Sequence, residues 1–440
     1  MSGAVAGLIG SLKAAAAGIL NKYFFFNVGG TGTNSLYSMQ SDSSGNLYGI
    51  NSNSEIISVA KDGTFRWAKK FTTTTGGGAF FVLTLFTVGN SIYIGGFTAL
   101  GGFSKGAIAK LDTTGAVVWS KAFNNGMIEQ VISFGLAQNG DILFNGQLYV
   151  YQTGYQDAIY RMNPSTGALI SYHEPRLTYS TGYMGLVESP TGKIYSLLRN
   201  YPTIASTNGT QPIKIDHSTP NFFINPSSGG MVMDSSGFLY ITVGYSGAGT
   251  VNGVGVIKLN PATRAIVWSK ILSSSATVIY PIFYAAGQNI CIDSTNTYIY
   301  VFVGNCIAKL DLSGNIVSGW LRTMTVSSQS TNYNPLINIT SDNDLVISNQ
   351  FGAMKIRSDD TLSSVTTYTA SFQTMTYQTT TQYSSTFVPT VYVGTGGGAT
   401  DPSGETTISS PSTYVDATYS ALTATNPSIT LGTGNRYIYA

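Results

Sequence analysis

Side chains able to carry out catalysis or to bind a metal are sparse in this sequence. It contains two histidines, His173 and His217. A Ser-His-Asp triad or a zinc site needs several such groups at one place, so both histidines are interpreted as surface residues in turns. The run Asp342-Asn343-Asp344 offers oxygen ligands, but it lacks the glycine and distal glutamate of a calcium-binding loop and is interpreted as a tight turn. The sequence therefore predicts no catalytic residue, no metal and no cofactor.

The elements that would position any functional group are repeated β-hairpins. Residues 108–121 read IAKLDTTGAVVWSK, which is an alternating apolar strand, a turn with Asp and Gly, and a second strand ending near Trp. Alternation on both arms with turn residues between them is typical of a hairpin. Related copies are ISVAKDGTFRWAK from residue 57, IYRMNPSTGALIS from residue 159, IKLNPATRAIVWSK from residue 257 and IAKLDLSGNIVSGW from residue 307.

A second type of hairpin precedes these copies. It reads SDSSGNLYGI from residue 41, AQNGDILFNG from 137, ESPTGKIYSL from 188, MDSSGFLYIT from 233 and SDNDLVIS from 341. Two hairpins in tandem form a four-stranded unit, and Gly63, Gly115 and Gly167 recur at intervals of 52 residues, close to the roughly 50 residues of a kelch-type blade. Seven units are counted from second-hairpin turns expected at Asp62, Asp112, Asn163, Asp216, Asn260, Asp311 and residues 358–360. The predicted fold is all-β, a seven-bladed β-propeller of four-stranded antiparallel blades.

The predicted propeller occupies residues 35–372. Its blades are expected at residues 35–71, 80–123, 130–173, 181–225, 230–272, 280–323 and 334–372. Four tryptophans are predicted to hold equivalent buried positions between neighbouring blades: Trp67, Trp119, Trp268 and Trp320. In the third, fourth and seventh blades the same position is assigned to Ile170, Phe222 and Val365.

Charge and cysteine usage exclude several classes of protein. The charged fraction is 10% and the net charge is +2, whereas ordinary soluble proteins have about 25% charged residues. This balance disfavours nucleic acid as a partner, since that requires a basic surface, and it favours neutral sugars or other subunits. Cys291 and Cys306 are predicted on the first and third strands of one blade, about 10 Å apart and too far for a disulfide.

The first 34 residues differ in texture from the repeats. Residues 1–26 are rich in Ala and Gly and are predicted to be a helix. Lys13 within the apolar run disfavours a signal peptide or a transmembrane helix, so the favoured interpretation is a helix that docks on another protein. The expected docking residues are Leu8, Leu12, Ile19, Phe24, Phe25 and Phe26, followed by a hinge over residues 27–34.

Residues 373–440 form a C-terminal extension dominated by Thr, Ser and Tyr. Its polar alternation can form strands but supports little core of its own. We therefore expect the extension to lie along the propeller or along a neighbouring subunit, with disorder as the alternative.

Two kinds of enzymatic propeller share part of the pattern. The segment KDGTFRW from residue 61 resembles part of the Asp-box turn of sialidase-type propellers, but the Asp recurs in most repeats as a turn residue and no arginine cluster for an acidic sugar is evident. The tryptophan on the outer hairpin resembles the repeats of quinoprotein-like propellers, although no calcium or cofactor-stacking motif accompanies it. These resemblances imply the fold and no activity.

The chain as a whole resembles virion proteins of tailed bacteriophages, of the tail-associated or appendage kind. The resemblance rests on the start, MSGAVAGLIGSLKAAAAGILNKYFFF, on the propeller repeats, and on the end, STYVDATYSALTATNPSITLGTGNRYIYA. It implies a place in the virion, with the first segment attached to other virion proteins and several copies in one assembly. It implies no catalytic residue.

The predicted function is therefore a non-enzymatic virion protein that binds the host surface, with glycans as candidate ligands. Tyrosines in uncharged loops suit stacking on sugar rings, and the candidates in or near loops are Tyr151, Tyr155, Tyr179, Tyr183, Tyr201, Tyr245 and Tyr280. One alternative is a structural adaptor in which these tyrosines pack on neighbouring subunits. Another is a secreted enzyme acting on polysaccharide, which needs two carboxylates about 5–10 Å apart. The expected location is the virion, or else the cell surface or medium, without insertion into a membrane.

Overall fold

The computed structural model is built from short β-strands. It describes residues 24–29, 36–73, 78–100, 103–123, 128–150, 154–174, 183–198, 203–206, 213–217, 222–225, 230–247, 252–273, 289–303, 306–326, 336–349, 352–358, 366–369, 374–379, 383–385, 389–393, 406–408, 422–425 and 430–433. Within these ranges no helix has the length and apolarity that a membrane crossing requires.

The strands form seven antiparallel sheets. The first strand of the chain, β1 (Phe24–Gly29), belongs to the last sheet. Sheet 1 contains β2 (Leu36–Ser41), β3 (Leu47–Asn51), β4 (Glu55–Val59) and β5 (Phe65–Thr73). Sheet 2 contains β6 (Phe80–Val88), β7 (Ser91–Leu100), β8 (Phe103–Leu111) and β9 (Val117–Ala122). Sheet 3 contains β10 (Gln130–Leu136), β11 (Ile142–Val150), β12 (Gly154–Met162) and β13 (Leu169–Glu174). Sheet 4 contains β14 (Tyr183–Glu188), β15 (Ile194–Leu198), β16 (Thr203–Ser206) and β17 (Ile213–His217).

The remaining sheets follow the same plan with two variations. Sheet 5 contains β18 (Phe222–Asn225), β19 (Met231–Met233), β20 (Leu239–Gly247), β21 (Asn252–Asn260) and β22 (Ala265–Ser273), with β18 and β19 both paired to β20. Sheet 6 contains β23 (Ile290–Ile292), β24 (Tyr298–Val303), β25 (Cys306–Asp311) and β26 (Ile316–Val326). Sheet 7 contains β27 (Leu336–Ile339), β28 (Asp344–Asn349) and β29 (Gly352–Arg357), and its fourth strand is β1.

The sheets are arranged as the blades of a propeller. Their first strands contact one another in the closed order β2, β6, β10, β14, β19, β23, β27 and back to β2. Apolar clusters lie between neighbouring sheets; the one between sheets 1 and 2 joins Tyr48 and Phe71 to Phe80 and Leu85. Similar clusters join sheets 2 and 3, 3 and 4, 4 and 5, 5 and 6, and 7 and 1. The chain is an all-β propeller with four-stranded antiparallel blades, as the repeats predicted.

Strand β1 corrects the prediction for the N-terminal segment. Phe24, Phe25 and Phe26 lie in a strand and pair with Lys355, Met354 and Ala353 of β29. The predicted docking helix therefore cannot extend to residue 26, and the predicted hinge begins with strand residues, because β1 continues to Gly29. The fourth strand of sheet 7 comes from the start of the chain, so sheet 7 joins the two ends of the repeat array. The other predicted docking residues, Leu8, Leu12 and Ile19, lie outside the described residues.

The C-terminal extension adds further strands to the rim of the ring. Strand β30 (Thr366–Thr369), which the sequence assigned to the seventh blade, instead joins sheet 6 by pairing with the first strand of the extension. The strands of the extension are β31 (Thr374–Thr379), β32 (Tyr383–Ser385), β33 (Pro389–Val393), β34 (Thr406–Ile408), β35 (Leu422–Thr425) and β36 (Thr430–Thr433). In chain order, β31 to β36 pair antiparallel with β26, β22, β17, β13, β5 and β1. The described part of the extension thus lies along its own ring, as one of the predicted alternatives had it, and runs around it in the direction opposite to the repeats.

Three further details of the predicted blades were wrong. Asp216 lies within β17 and not in a hairpin turn. Phe222 begins β18, which pairs with β20 in sheet 5 and so does not belong to the fourth blade. Ile170 does not hold the position of the tryptophan, and it is 39% exposed. That position belongs to Ser171, which pairs with Arg161 as Trp119 pairs with Lys110 in sheet 2. Val365 lies outside the described residues.

Three tryptophans join each sheet to the next at equivalent positions. The indole Nε1 atoms of Trp67, Trp119 and Trp268 donate to the carbonyl oxygens of Thr113, Pro164 and Leu312, at 2.9, 3.4 and 3.0 Å. Each carbonyl belongs to the third-to-fourth hairpin turn of the following sheet. All three tryptophans are half-buried, less than predicted. Trp320 lies in β26, directly before Leu321. Leu321 pairs with Ala308 as Ser120 pairs with Ala109, so the register places Trp320 where sheet 2 has Trp119.

Replacing Trp119 by Ala should lower the free energy of unfolding by about 2–3 kcal/mol, below the roughly 3–5 kcal/mol typical of a fully buried aromatic. The indole packs on Gly167, where a Cβ atom would lie 2.8 Å from the ring, so no side chain can refill the space. Chemical denaturation measures the effect. The neighbouring Val118, 56% exposed, supplies the control: Val118→Ala should change stability by less than about 0.5 kcal/mol. Equal effects of the two changes would contradict the packing described.

The alternation of strands gives the ring two distinct ends. We call the turn face the end that carries the first-to-second and third-to-fourth hairpin turns, such as those that follow Asp42 and Asp112. The crossover face is the opposite end, where the second strand turns into the third and where the chain passes from one sheet to the next. Gly63, Gly115 and Gly167 all adopt positive φ in turn-face hairpins, which explains their regular spacing in the sequence.

Candidate functional site

Several charged groups of the described repeats form hydrogen bonds that join strands and neighbouring blades. Asp42 accepts hydrogen bonds from the backbone of its own turn and from the hydroxyl of Tyr48, at 2.7 Å. Arg66 in turn donates to the Tyr48 hydroxyl at 2.8 Å and to the Thr113 carbonyl of the next sheet at 3.0 Å. The Trp67 ring lies 5.8 Å from the Tyr48 ring. This group joins sheets 1 and 2 near the turn face.

The same arrangement recurs between sheets 5 and 6. The Tyr240 hydroxyl donates to Asp234 at 3.0 Å, and the Lys258 ammonium donates to the Leu312 carbonyl at 3.2 Å. Burial, followed by the nearby Asp42 carboxylate, raises the pKa of Tyr48 to about 12, and burial and Asp234 also raise the pKa of Tyr240. Both phenols therefore stay protonated at neutral pH and act as hydrogen-bond donors to carboxylates.

The acidic run that the sequence singled out is a turn, as predicted. Asn343 has a φ of 63°, and its N–H donates to the Thr340 carbonyl. The buried ammonium of Lys355 lies 3.1 Å from Asp342 and 3.4 Å from Asp344. Burial opposes ionisation of Asp342, but the Thr340 hydroxyl and Lys355 outweigh it and lower the pKa of this carboxyl. One lysine of the same sheet thus forms ion pairs with both carboxylates.

The two histidines do not lie in turns. His173 is in β13 and His217 ends β17, on different sheets. Among the described residues, no three His, Cys, Asp or Glu side chains come close enough together to hold a metal ion. Cys291 is a buried free thiol on the first strand of sheet 6, and Cys306 begins the third strand, as predicted.

The centre of the ring contains a small cavity. It is lined by residues of the first strands of several sheets, including Ser38, Thr84, Ser133 and Leu336. Its volume is about 40 Å³, which suits a few water molecules, since one water needs about 10–15 Å³ on this measure. A cavity of this size has room for water and not for a sugar ring.

Three of the seven predicted binding tyrosines lie in described strands, and all three are near the crossover face. Tyr155 is the second residue of β12 beside the β11–β12 hairpin, Tyr183 is the first residue of β14, and Tyr245 is near the end of β20. They belong to three different sheets. Tyr151, Tyr179, Tyr201 and Tyr280 lie outside the described residues.

The crossover face also carries an exposed apolar patch that sequence reasoning missed. We call it the Phe81 patch, consisting of Phe81, Leu83 and Phe97. Phe81 and Leu83 on β6 are 41% and 39% exposed, and the rings of Phe81 and Phe97 stack with centroids 4.9 Å apart and planes at 17°. Large exposed aromatic side chains that cluster in this way mark contact surfaces.

A β-bulge holds the Phe81 patch in place. Val82 pairs with Gly96 and Thr84 pairs with Gly95, so Leu83 is the extra residue in β6. A Cβ atom at position 96 would lie 1.9 Å from the Phe81 carbonyl oxygen, so the close approach of the two strands requires glycine. Bulges of this kind re-aim side chains and are common beside binding sites. The signal in the sequence was the Gly95-Gly96 pair within an otherwise regular strand, which indicates a bulge.

Comparison with known proteins does not assign a family to this chain. No family model and no curated protein matches it. Similar solved structures include YCF48 bound to D1 peptide (TM-score 0.45, 12% identity, 77% of this chain and 98% of that one). They also include the WD40 β-propeller domain of Doa1 (TM-score 0.47, 10% identity, 77% and 97%) and a putative 6-phosphogluconolactonase from Bacteroides uniformis (TM-score 0.37, 12% identity, 64% and 82%). At these identities the likeness carries nothing about function, and the propeller assignment rests on the strand order above.

Proposed function

We propose that this chain is a non-enzymatic binding module that presents its crossover face to a ligand and is attached to a larger particle from its turn face. The observation that carries the proposal is the direction of β1. Phe24 pairs with Lys355, toward the turn-face end of β29, and Phe26 pairs with Ala353, toward the crossover face. Strand β1 therefore begins toward the turn face and runs toward the crossover face.

The contact candidates lie at the opposite end of the ring. The Phe81 patch and the described tyrosines Tyr155, Tyr183 and Tyr245 are all near the crossover face. An attachment segment on one face and contact residues on the other is the arrangement that a surface-binding protein of a particle requires. A ligand can then approach without contacting the attachment side.

The construction of the ring favours rigid recognition over a catalytic cycle. The first strands of the seven sheets contact one another in a closed sequence, which supports a single ring of seven blades. Both β1 and β36 are part of sheet 7. Asp42, Asp234 and Lys355 are engaged in turns and in contacts between strands and sheets. Binding loops held by a rigid scaffold lose little conformational entropy when a ligand binds.

Together with the resemblance of the sequence to phage proteins, these features support a role in the virion of a tailed bacteriophage as a tail-associated or appendage protein. We propose that its ligand is a host-surface glycan and that residues 1–23, which precede β1, contact other virion proteins. The second candidate is a structural adaptor whose crossover face packs on another subunit. A secreted enzyme acting on polysaccharide finds less support, because no carboxylate is among the described residues that line the central cavity.

Competition for host cells tests this function. The purified full chain, added in excess to cells before the phage particles, should reduce adsorption of particles at least tenfold. The matched control is the same protein heated until it is unfolded. A structural adaptor would leave adsorption unchanged while still co-purifying with intact particles. A protein that neither blocks adsorption nor co-purifies with particles would contradict the proposal.

A further inference from the structure

We infer that the Phe81 patch is a sugar-binding platform for a neutral hexose ring, with Glu129 and Gln130 of the neighbouring sheet as hydrogen-bonding partners. This inference rests on the proposed function and names its ligand and contact residues. It adds a site to the ring that the tyrosine-based prediction did not contain.

The shape of the patch fits the apolar face of a pyranose. Phe81 and Phe97 are directly opposite residues of β6 and β7, and their rings are close to parallel at 17°. Phe81 is 41% exposed, so part of the stacked pair is open to solvent. Leu83 is 39% exposed on the same strand. Axial C–H groups of a hexose pack against aromatic faces of this kind, because the ring faces carry negative charge density and the C–H edge of the sugar is positive.

The polar partners begin the next sheet at the same face of the ring. Gln130 is the first residue of β10, which contacts both β6 and β7. Glu129 precedes it, and its backbone N–H donates to the Gln147 carbonyl at 2.7 Å, which fixes the start of the strand. Both side chains are half-buried. Partial burial raises the pKa of Glu129, and this carboxyl can accept hydrogen bonds from sugar hydroxyls.

The charge of the surroundings favours a neutral, hydroxyl-rich ligand. The chain has a charged fraction of 10% and a net charge of +2, and the three side chains of the Phe81 patch are uncharged. A charged sugar would need an arginine or lysine to replace its hydration, whereas amide and carboxyl oxygens beside aromatic rings match hydroxyl groups. A protein segment inserting an apolar side chain is the competing ligand class.

The platform was not deducible from alternation alone. In β6 the buried side chains of Phe80 and Val82 alternate with the exposed side chains of Phe81 and Leu83. Apolar residues therefore occupy both faces of the strand. A strand that is apolar on both faces is usually buried on both. Here the bulge and Gly96 keep one of these faces open.

An immobilised array of neutral glycans, probed with the purified full chain, tests the inference. Phe81→Ala should weaken binding of the best neutral glycan about tenfold or more, because the stacking surface is lost. Phe81→Tyr, which keeps the ring, should retain binding, and Glu129→Gln should weaken it several-fold. The control is Val118→Ala, an exposed apolar residue on the turn-face side of the ring, which should bind as the unmodified chain does. Circular dichroism confirms that each variant is folded.

The remaining outcomes each overturn a different statement. If the unmodified chain binds a neutral glycan and Phe81→Ala binds it equally well, the platform is wrong while the proposed function stands. If the unmodified chain blocks adsorption of particles and binds no glycan, and Phe81→Ala no longer blocks adsorption, the ligand is not a hexose and the protein-segment alternative holds. A chain that neither binds glycans nor blocks adsorption fails the proposed function itself.

Discussion

Deletion of residues 1–29 should yield a chain that does not fold, whereas deletion of residues 1–23 should leave the unfolding temperature nearly unchanged. The physical reason is β1. It is the fourth strand of sheet 7 and pairs with β29 on one side and with β36 on the other. Without it, sheet 7 retains three strands, and the backbone of β29 loses its partners in a buried part of the ring, where Ala353 and Met354 are fully buried. Circular dichroism and thermal unfolding of the two truncated chains measure the difference.

This expectation replaces a simpler one from the sequence. A docking helix ending at residue 26 would have made residues 1–26 dispensable for folding. Because residues 24–26 pair with β29, their deletion should instead destabilise the ring. A control chain that replaces residues 1–23 with a Gly/Ser stretch of equal length should fold normally. If the chain lacking residues 1–29 is as stable as the chain lacking residues 1–23, the closing role of β1 is refuted.

Deletion of residues 373–440 should leave a folded but weaker ring that associates with itself. The deletion removes the strands that pair with the outer strands of sheets 1, 3, 4, 5 and 6 and with β1 of sheet 7. Each lost backbone hydrogen bond contributes about 0.5–1.5 kcal/mol, partly offset by the entropy of the released extension, so we expect the unfolding temperature to fall by roughly 10 °C or more. The newly open strand edges should also pair between molecules. Calorimetry and size-exclusion chromatography measure the two effects.

A shorter deletion separates the edge effect from the loss of chain length. Removal of residues 426–440 takes away β36 alone and opens only the outer edge of β1. It should lower the unfolding temperature by a smaller amount than removal of the whole extension. If the full deletion neither lowers the unfolding temperature nor promotes self-association, the extension does not stabilise the ring.

The repeated hairpins were predictable because their signal is local. Turn glycines such as Gly115, with a φ of 79°, and Asp112, whose carboxylate accepts N–H groups of its own turn, are read within a few residues. The equivalent tryptophans Trp67, Trp119 and Trp268 followed from the same repeat. Sheet 4 was misread at Asp216, because the residues between its third and fourth strands, 207–212, read TNGTQP and match neither the Asp turns nor the Asn-Pro turns of the other copies.

The closing strand and the extension could not be placed from the sequence, because their partners lie far away along the chain. Phe24 pairs with Lys355, and Leu422 pairs with Thr73. Pairing of this kind is made by backbone groups, which every residue carries, so the amino-acid types of a Thr/Ser-rich strand do not specify its partner. The Phe81 patch escaped for a different reason. The Gly95-Gly96 pair indicates the bulge locally, but the exposure of Phe81 also depends on the position of sheet 3, which is not a local property.

Labelling of single cysteines on intact particles tests the orientation of the ring, which is the central claim about function. Ala99 is exposed near the crossover face, and Ser235 is exposed in a turn-face hairpin of sheet 5. Ala99→Cys and Ser235→Cys are made in a Cys306→Ser background, where Cys291 is buried and protected, and the free protein should react with a maleimide at both positions. On intact particles the account predicts rapid labelling at position 99 and protection at position 235. Labelling at position 235 with protection at position 99 would show that the crossover face is the one attached to the particle, and would contradict the account.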